Sequence, residues 1–350
     1  FGSDTGTRLQ AQWSRHPMSS NGDRVDVGAG WQEKDNELSL RTNYRLPRRT
    51  HQRQYWVAEL AWKIEKLDLE IKRNPEDDGF FKIAHGDVND VHLRLGRLRV
   101  RNLRDGDRQL FGTAFVQHLN SDQRYGLLYP VPELQGEFAN LTEVNDDVYS
   151  VGYDVSLFDV QGKAFDTNGR RDRGYFFVSD RSFGSDISFT QVYFATHRIF
   201  HRGDRWKLHV RGEVGYTDAL VDNLTISIDN EPVGLSVTEL PNFYRFKAGG
   251  SQSVRGYGYE SLSNNDIGSN HIITASIEAE FRVLENWSAA VFFDAGNAFN
   301  DWNNPNLHRG VGVGVRWYSI AGPIRFDFAQ ALDFKGQPWR FHFTIGTPLL

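Results

Sequence analysis

Cysteine is absent from this 350-residue chain and methionine occurs once. The first absence excludes disulfides, thiolate metal sites and a cysteine nucleophile. Long apolar runs are missing too. None approaches the roughly 18 to 20 residues that a spanning helix needs, and a mean hydropathy of -0.53 excludes a helical membrane protein. A transmembrane β-barrel is not excluded, because its lipid face occupies alternate residues and the average then reads as polar. Charge of one sign is also lacking. Lys and Arg number 40 against 45 Asp and Glu, a net of -5, and the two signs are interspersed, which argues against nucleic acid as a main partner. Residues 1–7 are polar and Gly-rich, so no secretory leader is present. The expectation is that a leader has been removed or that the chain is an excised domain.

What is present points to strands. Aromatics make up 13% of the chain and there are 33 Gly against 11 Pro, the mark of many short strands joined by turns. Leu9, Ala11 and Trp13 alternate with Arg8, Gln10 and Gln12. Val25, Val27, Ala29 and Trp31 repeat the pattern, as do Leu38, Leu40, Thr42, Tyr44 and Leu46. Trp56, Ala58, Leu60, Trp62 and Ile64 then oppose Glu59, Lys63 and Glu65. Such alternation predicts half-buried strands. Further strands are predicted at 91–100, 109–119, 148–157, 174–179, 187–200, 206–215, 272–283, 287–296, 310–319, 323–330 and 339–346. No amphipathic helix and no linker interrupts them, so residues 1–350 read as one β domain.

Taken as an antiparallel meander, the segments place their connections alternately on two sides. One side receives short connections such as 47–54, 101–107, 201–204 and 284–286; the other receives the long ones, 66–90, 120–147 and 216–270. An outer-membrane barrel has this asymmetry, with short periplasmic turns and long external loops. The predicted inner faces carry Glu278, Glu280 and Arg282, then Arg325 and Asp327, then Arg340 and His342. A dry sandwich core could not hold them, since each isolated buried ion costs several kcal/mol. The opposite face is apolar, as in Trp287, Ala289, Val291 and Phe293, and Trp13, Trp31, Trp287, Trp317 and Trp339 fall near strand ends, where interfacial girdles belong. A large soluble β protein with one wet sheet face is the competing reading. About fifteen complete strands are counted and bacterial barrels close with an even number. Residues 1–4 therefore read as the tail of one more, the first strand being incomplete.

The stretch from Lys247 to Ser261 stands apart. Gly249 and Gly250 open it, and Arg255 lies between Val254 and Gly256 with Tyr257 and Tyr259 behind. Glycine at that density makes a compact excursion. A lone arginine among apolar and aromatic neighbours suggests a plug aimed at a carboxylate; a solvated surface loop is the plainer alternative.

Five motifs in order then carry a resemblance: Val254-Arg255-Gly256-Tyr257, Thr274 to Phe281, Val291-Phe292-Phe293-Asp294-Ala295-Gly296, Gly312-Val313-Gly314-Val315-Arg316-Trp317 and Gly322-Pro323-Ile324-Arg325-Phe326-Asp327-Phe328-Ala329. They resemble the C-terminal barrel of the BamA/TamA superfamily of outer-membrane assembly proteins, and TamA-type members most. The match is densest from Tyr244 to Ala329 and looser over 166–176 and 184–189.

The resemblance implies an all-β, 16-stranded antiparallel transmembrane β-barrel in the outer membrane of a Gram-negative bacterium. Its sixth external loop would fold into the lumen and pin its tip, Val254, Arg255, Gly256 and Tyr257, to a carboxylate of the inner wall. Asp294 is the first candidate partner and Glu278, on the adjacent strand, the second. The alternation independently puts Asp294 inward with Ala290 and Phe292.

The resemblance also implies a weak seam between first and last strands that serves as a lateral gate, here involving Gly2, Ser3, Arg340, His342 and Gly346, with Gly346 able to kink the last strand. Implied partners are outer-membrane lipids, unfolded β-barrel or autotransporter clients, and a TamB-like inner-membrane-anchored protein that spans the periplasm. The POTRA domains that precede such barrels are missing from this chain. Its end, Thr347-Pro348-Leu349-Leu350, departs from many outer-membrane barrels in lacking a terminal aromatic.

No enzyme is expected. Gly249-Gly250-Ser251-Gln252-Ser253 lacks the second Gly of a nucleophile elbow and its strand-turn-helix setting. His197 and His201 have the spacing of a helical metal pair but are read as flanking a turn between strands. Glu76, Asp77 and Asp78 read as a solvated acidic tip. No cofactor or metal is called for. A BamA-like general insertase and a passive porin remain as alternative functions, the tethered loop being the feature that argues against conduction.

Overall fold

The computed structural model describes residues 6–17, 21–33, 36–48, 53–72, 80–103, 108–127, 143–162, 164–228, 231–263, 268–319, 322–334, 336 and 338–345. The chain opens with three strands of moderate length, β1 (Arg8–Arg15), β2 (Arg24–Gln32) and β3 (Glu37–Pro47). Four long ones follow: β4 (Gln54–Lys72), β5 (Phe80–Asn102), β6 (Gln109–Leu127) and β7 (Glu143–Gln161). Then come β8 (Asn168–Ser179), β9 (Phe189–Arg202) and β10 (Trp206–Asp218), and a hairpin of β11 (Val221–Ile228) and β12 (Glu231–Thr238). The last five are β13 (His271–Leu284), β14 (Trp287–Phe299), β15 (His308–Ser319), β16 (Gly322–Ala331) and β17 (Trp339–Ile345). The only helical pieces among the described residues are three single 3-10 turns.

Fifteen strands form one antiparallel sheet in chain order, β10 pairing with β13 across the hairpin, which makes a sheet of its own. Each of these fifteen corresponds to a segment predicted from alternation. Two of the long connections prove to be strand over their described residues. Residues 66–72 and 80–90 continue β4 and β5 as a paired ribbon, and β6 and β7 extend likewise into 120–127 and 143–147. The connection at 216–270 contains the β11–β12 hairpin. Strand pairing there needs no lipid face, so the backbone ladder runs on past the segment that alternation marks for a bilayer. Residues 1–5 and 346–350, to which the incomplete first strand and the chain end were assigned, lie outside the described residues.

The two faces of the sheet differ as the alternation requires. On β13 Ile277 is 49% exposed and its neighbour Glu278 3%; on β14 Val291 is 58% exposed and Asp294 fully buried. Leu60, Leu93, Leu95, Val116, Val151, Phe194, Val313 and Phe328 extend the exposed apolar face from strand to strand. A contiguous apolar surface of this extent is far beyond what a protein in water tolerates, and it calls for an apolar solvent. No described helix is long and apolar enough to cross a membrane, so the strands are the elements that meet lipid.

Among the described residues two apolar clusters on the inner face are built around one segment, residues 239–263. In the first, Leu240 and Tyr244 pack on Phe115, Leu119, Val148, Phe177, Ile187 and Phe189. In the second, Phe246, Ala248, Val254, Tyr257 and Leu262 pack on Ile272, Ala298 and Ala331.

Candidate functional site

Antiparallel register sets side chains from five strands into rows on the inner face. Ser276 stands beside Asp294 and Asp294 beside Gly310; the next row holds Glu278, Phe292 and Gly312; the third holds Glu280, Ala290, Gly314, Asp327 and His342. Gly310, Gly312 and Gly314 thus cut a trough along β15. A Cβ at Gly310 would meet the carbonyl oxygen of Arg255, one at Gly312 the Phe292 ring, and one at Gly314 the Asp327 carboxylate and the Arg316 guanidinium. The inner glycines of the G-V-G-V-R-W motif are therefore required by close approach, while the valines between them face outward.

The tip of segment 239–263 lies over this trough. Gly249, Gly250 and Gly256 all have φ near +90 to +100°, at 101°, 91° and 94°, which only glycine adopts without strain. Arg255 is 1% exposed. Its backbone N–H donates to Asp294 Oδ2 at 3.0 Å, Nε donates to the same oxygen at 2.7 Å, and Nη2 donates to Oδ1 at 3.0 Å. Nη1 donates to Glu278 Oε2 at 2.5 Å and lies 3.4 Å from Asp327 Oδ2. The guanidinium carbon sits 3.4 Å from the Phe292 ring centroid, a cation–π contact that closes the remaining side. Burial by itself would lower the Arg255 pKa, but the charges of Asp294, Glu278 and Asp327 raise it well above its ordinary value.

Sequence reasoning paired Arg255 with Asp294 and then Glu278, and the structure brings all three together. It adds Asp327, Phe292 and a second buried cation, Arg316, which donates through Nη2 to Glu278 Oε1 at 2.9 Å and lies 2.6 Å from Asp327 through Nη1. Three carboxylates and two guanidiniums therefore share one site. Arg316 was visible only as part of a motif; the register that aims it at Glu278 is a tertiary fact. Val254 and Tyr257 are buried beside Arg255, and the Tyr257 hydroxyl donates to the Arg309 carbonyl at 3.1 Å.

Of the residues assigned to a seam, His342 is buried on β17 and accepts from the Gly256 N–H through Nε2 at 3.1 Å. Arg340 is exposed on the same strand. Gly2, Ser3 and Gly346 lie outside the described residues.

Below this site, Glu280 accepts from Ser288 at 3.0 Å and from Tyr318 at 2.6 Å and lies 3.0 Å from His209 Nε2. His209, Glu278 and Glu280 converge as metal ligands would. Arg316 already stands among them, 3.9 Å from Glu280, so their charge is answered by a guanidinium and the group reads as part of the ion-pair cluster. His197 and His201 both lie within β9, not across a turn, and four residue steps along the strand separate them by about 13 Å, too far to share an ion. His197 approaches His209 at 3.4 Å, and His201 lies 3.4 Å from Asp166. Glu76, Asp77 and Asp78 lie outside the described residues.

One contact has no counterpart in the sequence reading. The short turn between β7 and β8 carries Phe165, 2% exposed, to the inner side of β10, β13 and β15. Lys207 and Arg282 lie over its ring at 4.6 and 4.2 Å, and Tyr318 meets it edge-on at 5.8 Å. The turn reads as a surface connection because its polar residues, Asp166 and Thr167, mask a single anchoring aromatic.

An all-antiparallel sheet with an apolar outer face and a charged inner face that seats one buried segment is the fold of an outer-membrane β-barrel protein. The Omp85 superfamily domain is matched over residues 139–348, more than half of the chain. The chain belongs to the Omp85 superfamily. Over 125 residues it is 29% identical to the outer membrane protein assembly factor BamA of Nitratidesulfovibrio vulgaris, a stretch covering 31% of this chain and 16% of that protein. The fold is similar to that of BamA from Haemophilus ducreyi lacking POTRA domains 1-3, with a TM-score of 0.66 and 16% identity over 99% of this chain and 68% of that one. It is also similar to CdiB from Escherichia coli, with a TM-score of 0.59 and 15% identity over 97% and 59% of the two chains. Superfamily membership places the protein in the outer membrane of Gram-negative bacteria.

Proposed function

We propose that this chain is the membrane-embedded, non-enzymatic part of an outer-membrane protein assembly factor, acting on unfolded β-barrel or autotransporter clients through a lateral gate. The observation that carries the reading is the Arg255 clamp: one arginine, buried at the tip of an inward segment, bound to carboxylates from β13, β14 and β16. An internal brace on one wall leaves the wall that joins the chain's two ends as the place to open. The relative from N. vulgaris carries the assembly role in its name, and this chain spans only a small part of that protein's length.

In this reading the sheet closes around residues 239–263 as a sixteen-stranded barrel, with residues 1–4 contributing to the first strand. Support for closure comes from reach. Asn242 donates to Glu65 on β4, and Gly256 donates to His342 on β17. A flat sheet would hold those strands roughly 50 Å apart at 4.8 Å per strand, whereas the stretch between Asn242 and Gly256 is folded into turns.

The gate lies between the first strand, with Gly2 and Ser3, and β17, with Arg340, His342 and Gly346. A short pairing there leaves backbone donors and acceptors free to template an incoming strand. The TamA-type role, with a TamB-like periplasm-spanning partner, follows from the sequence resemblance. A BamA-like general insertase is the second reading, favoured by the identity to BamA.

The test is a reversible lock. With Ser3→Cys and Phe343→Cys in this cysteine-free chain, oxidation is expected to stop client insertion and reductant to restore it. A crosslinked protein that inserts clients at the normal rate would exclude the gate and favour a porin or scaffold.

A further inference from the structure

The outward face carries a second built feature, at the short-turn end of β3 to β6. Register sets Tyr44, Ala58, Leu95, Val116 and Val151 in one row and Leu46, Trp56, Arg97, Ala114 and Tyr153 in the next. Ala58 and Ala114 are small among large neighbours, and they leave a groove of about 600 Å³ on the lipid-facing side. Tyr44 and Trp56 wall it on one side, Val116 and Val151 on the other, and Arg97 stands in its lining.

The cation is not alone. Arg97 Nη2 donates to Gln54 Oε1 at 2.7 Å, and Arg48 Nη1 donates to the same oxygen at 3.2 Å. The Arg48 guanidinium also lies 5.5 Å from the Trp56 ring centroid. Arg99 and Arg101 follow on the same face, both exposed. On the inner side of this region Arg94 is paired with Asp154, and where β6 begins Arg108 is paired with Asp159. Among the described residues no carboxylate pairs with Arg48, Arg97, Arg99 or Arg101. Two guanidiniums that share one neutral amide oxygen repel each other, and an anion between them would relieve that repulsion.

We infer that this groove is a specific seat for an anionic glycerophospholipid of the leaflet at the short-turn end of the barrel. Its phosphate is held by Arg48 and Arg97 with Arg99 alongside, and one acyl chain lies over Ala58 and Ala114. Arginine stems buried along apolar surface with their heads at the interface are the ordinary arrangement at a membrane boundary. What distinguishes this one is the preformed groove beside an uncompensated pair. The inference rests on the transmembrane reading of the sheet, which the Ile277→Arg variant discussed below tests separately.

Native mass spectrometry of the intact protein, released from micelles with phosphatidylglycerol or phosphatidylethanolamine added at equal concentration, tests it. Phosphatidylglycerol is expected to be retained about tenfold better, and Arg97→Gln with Arg99→Gln to remove most of that preference. Ala58→Phe, which fills the groove and keeps every charge, is expected to lower phosphatidylglycerol retention as well. Heat-modifiable gel migration confirms that each variant is folded. Equal retention of the two lipids, retention untouched by either variant, or preferential retention of lipid A from the opposite leaflet would each overturn the assignment.

Discussion

What Arg255→Ala leaves behind decides its effect. Asp294, Glu278 and Asp327 would remain buried, Glu278 and Asp327 still paired with Arg316 and Asp294 left with Arg211 at 4.0 Å. Removing one partner of a buried pair costs about 3 to 5 kcal/mol. The loss falls on the seating of the segment and not on the sheet, whose ladders do not pass through Arg255. The expected outcome is a protein that still shows heat-modifiable migration while amides of residues 249–262 lose their hydrogen-exchange protection. Arg255→Lys should recover only part of that protection, because an ammonium cannot make the forked contact to Asp294 together with the one to Glu278. Gly310→Ala tests the same seat from below. Its Cβ would collide with the Arg255 carbonyl, so a similar loss of protection is expected with every charge intact.

At the scale of the element, each strand is a two-sided object whose faces obey different solvents. Ile277 and Glu278 are neighbours on β13, one exposed and one buried. Ile277→Arg is expected to destabilise the folded protein by about 2 to 4 kcal/mol if the site is near mid-bilayer, read from urea unfolding in liposomes. Unchanged stability would mean that the outer face does not meet lipid. The turn after β7 makes a different kind of element, anchored on distant strands by the Phe165 ring and by the Asp166 contacts to Arg282 and His201. Phe165→Ala should cost up to about 3 kcal/mol, the lower end for a core phenylalanine because polar groups border the site. Limited proteolysis should then cut within the turn at residues 162–167, which is protected when Phe165 is seated.

At the scale of the whole molecule the open question is how the ends of the fifteen-strand order meet. In a flat sheet β1 and β17 would stand roughly 65 Å apart at 4.8 Å per strand, whereas a closed barrel brings them within about 10 to 15 Å. Spin labels at Trp13→Cys and Phe341→Cys, both outward and exposed, measure this by electron paramagnetic resonance. A short distance is expected, and a broad distribution extending to it would be the signature of a seam that opens.

The amino-acid sequence by itself determined the strands and their two faces, and it singled out the glycine-rich segment that packs on the inner one. Period-two alternation is a local property and is written in consecutive residues such as Trp287 to Asp294. It also named Asp294 and Glu278 as candidate partners of Arg255, through a resemblance carried by motifs whose order survives in the linear chain. Other features needed the tertiary structure, because they depend on register between strands that the chain visits far apart. Register put Asp327 and Arg316 beside Arg255, set Gly310 under its carbonyl, and brought Arg48 and Arg97 to one oxygen of Gln54. The extension of β4 to β7 past the membrane segment escaped the reading for a related reason. Leu67, Leu69 and Ile71 do alternate with polar residues, but only the ladder to residues 80–90 shows that the alternation continues a strand. Phe165 was hidden most completely, since nothing within a short polar turn records which strands lie across the interior from it.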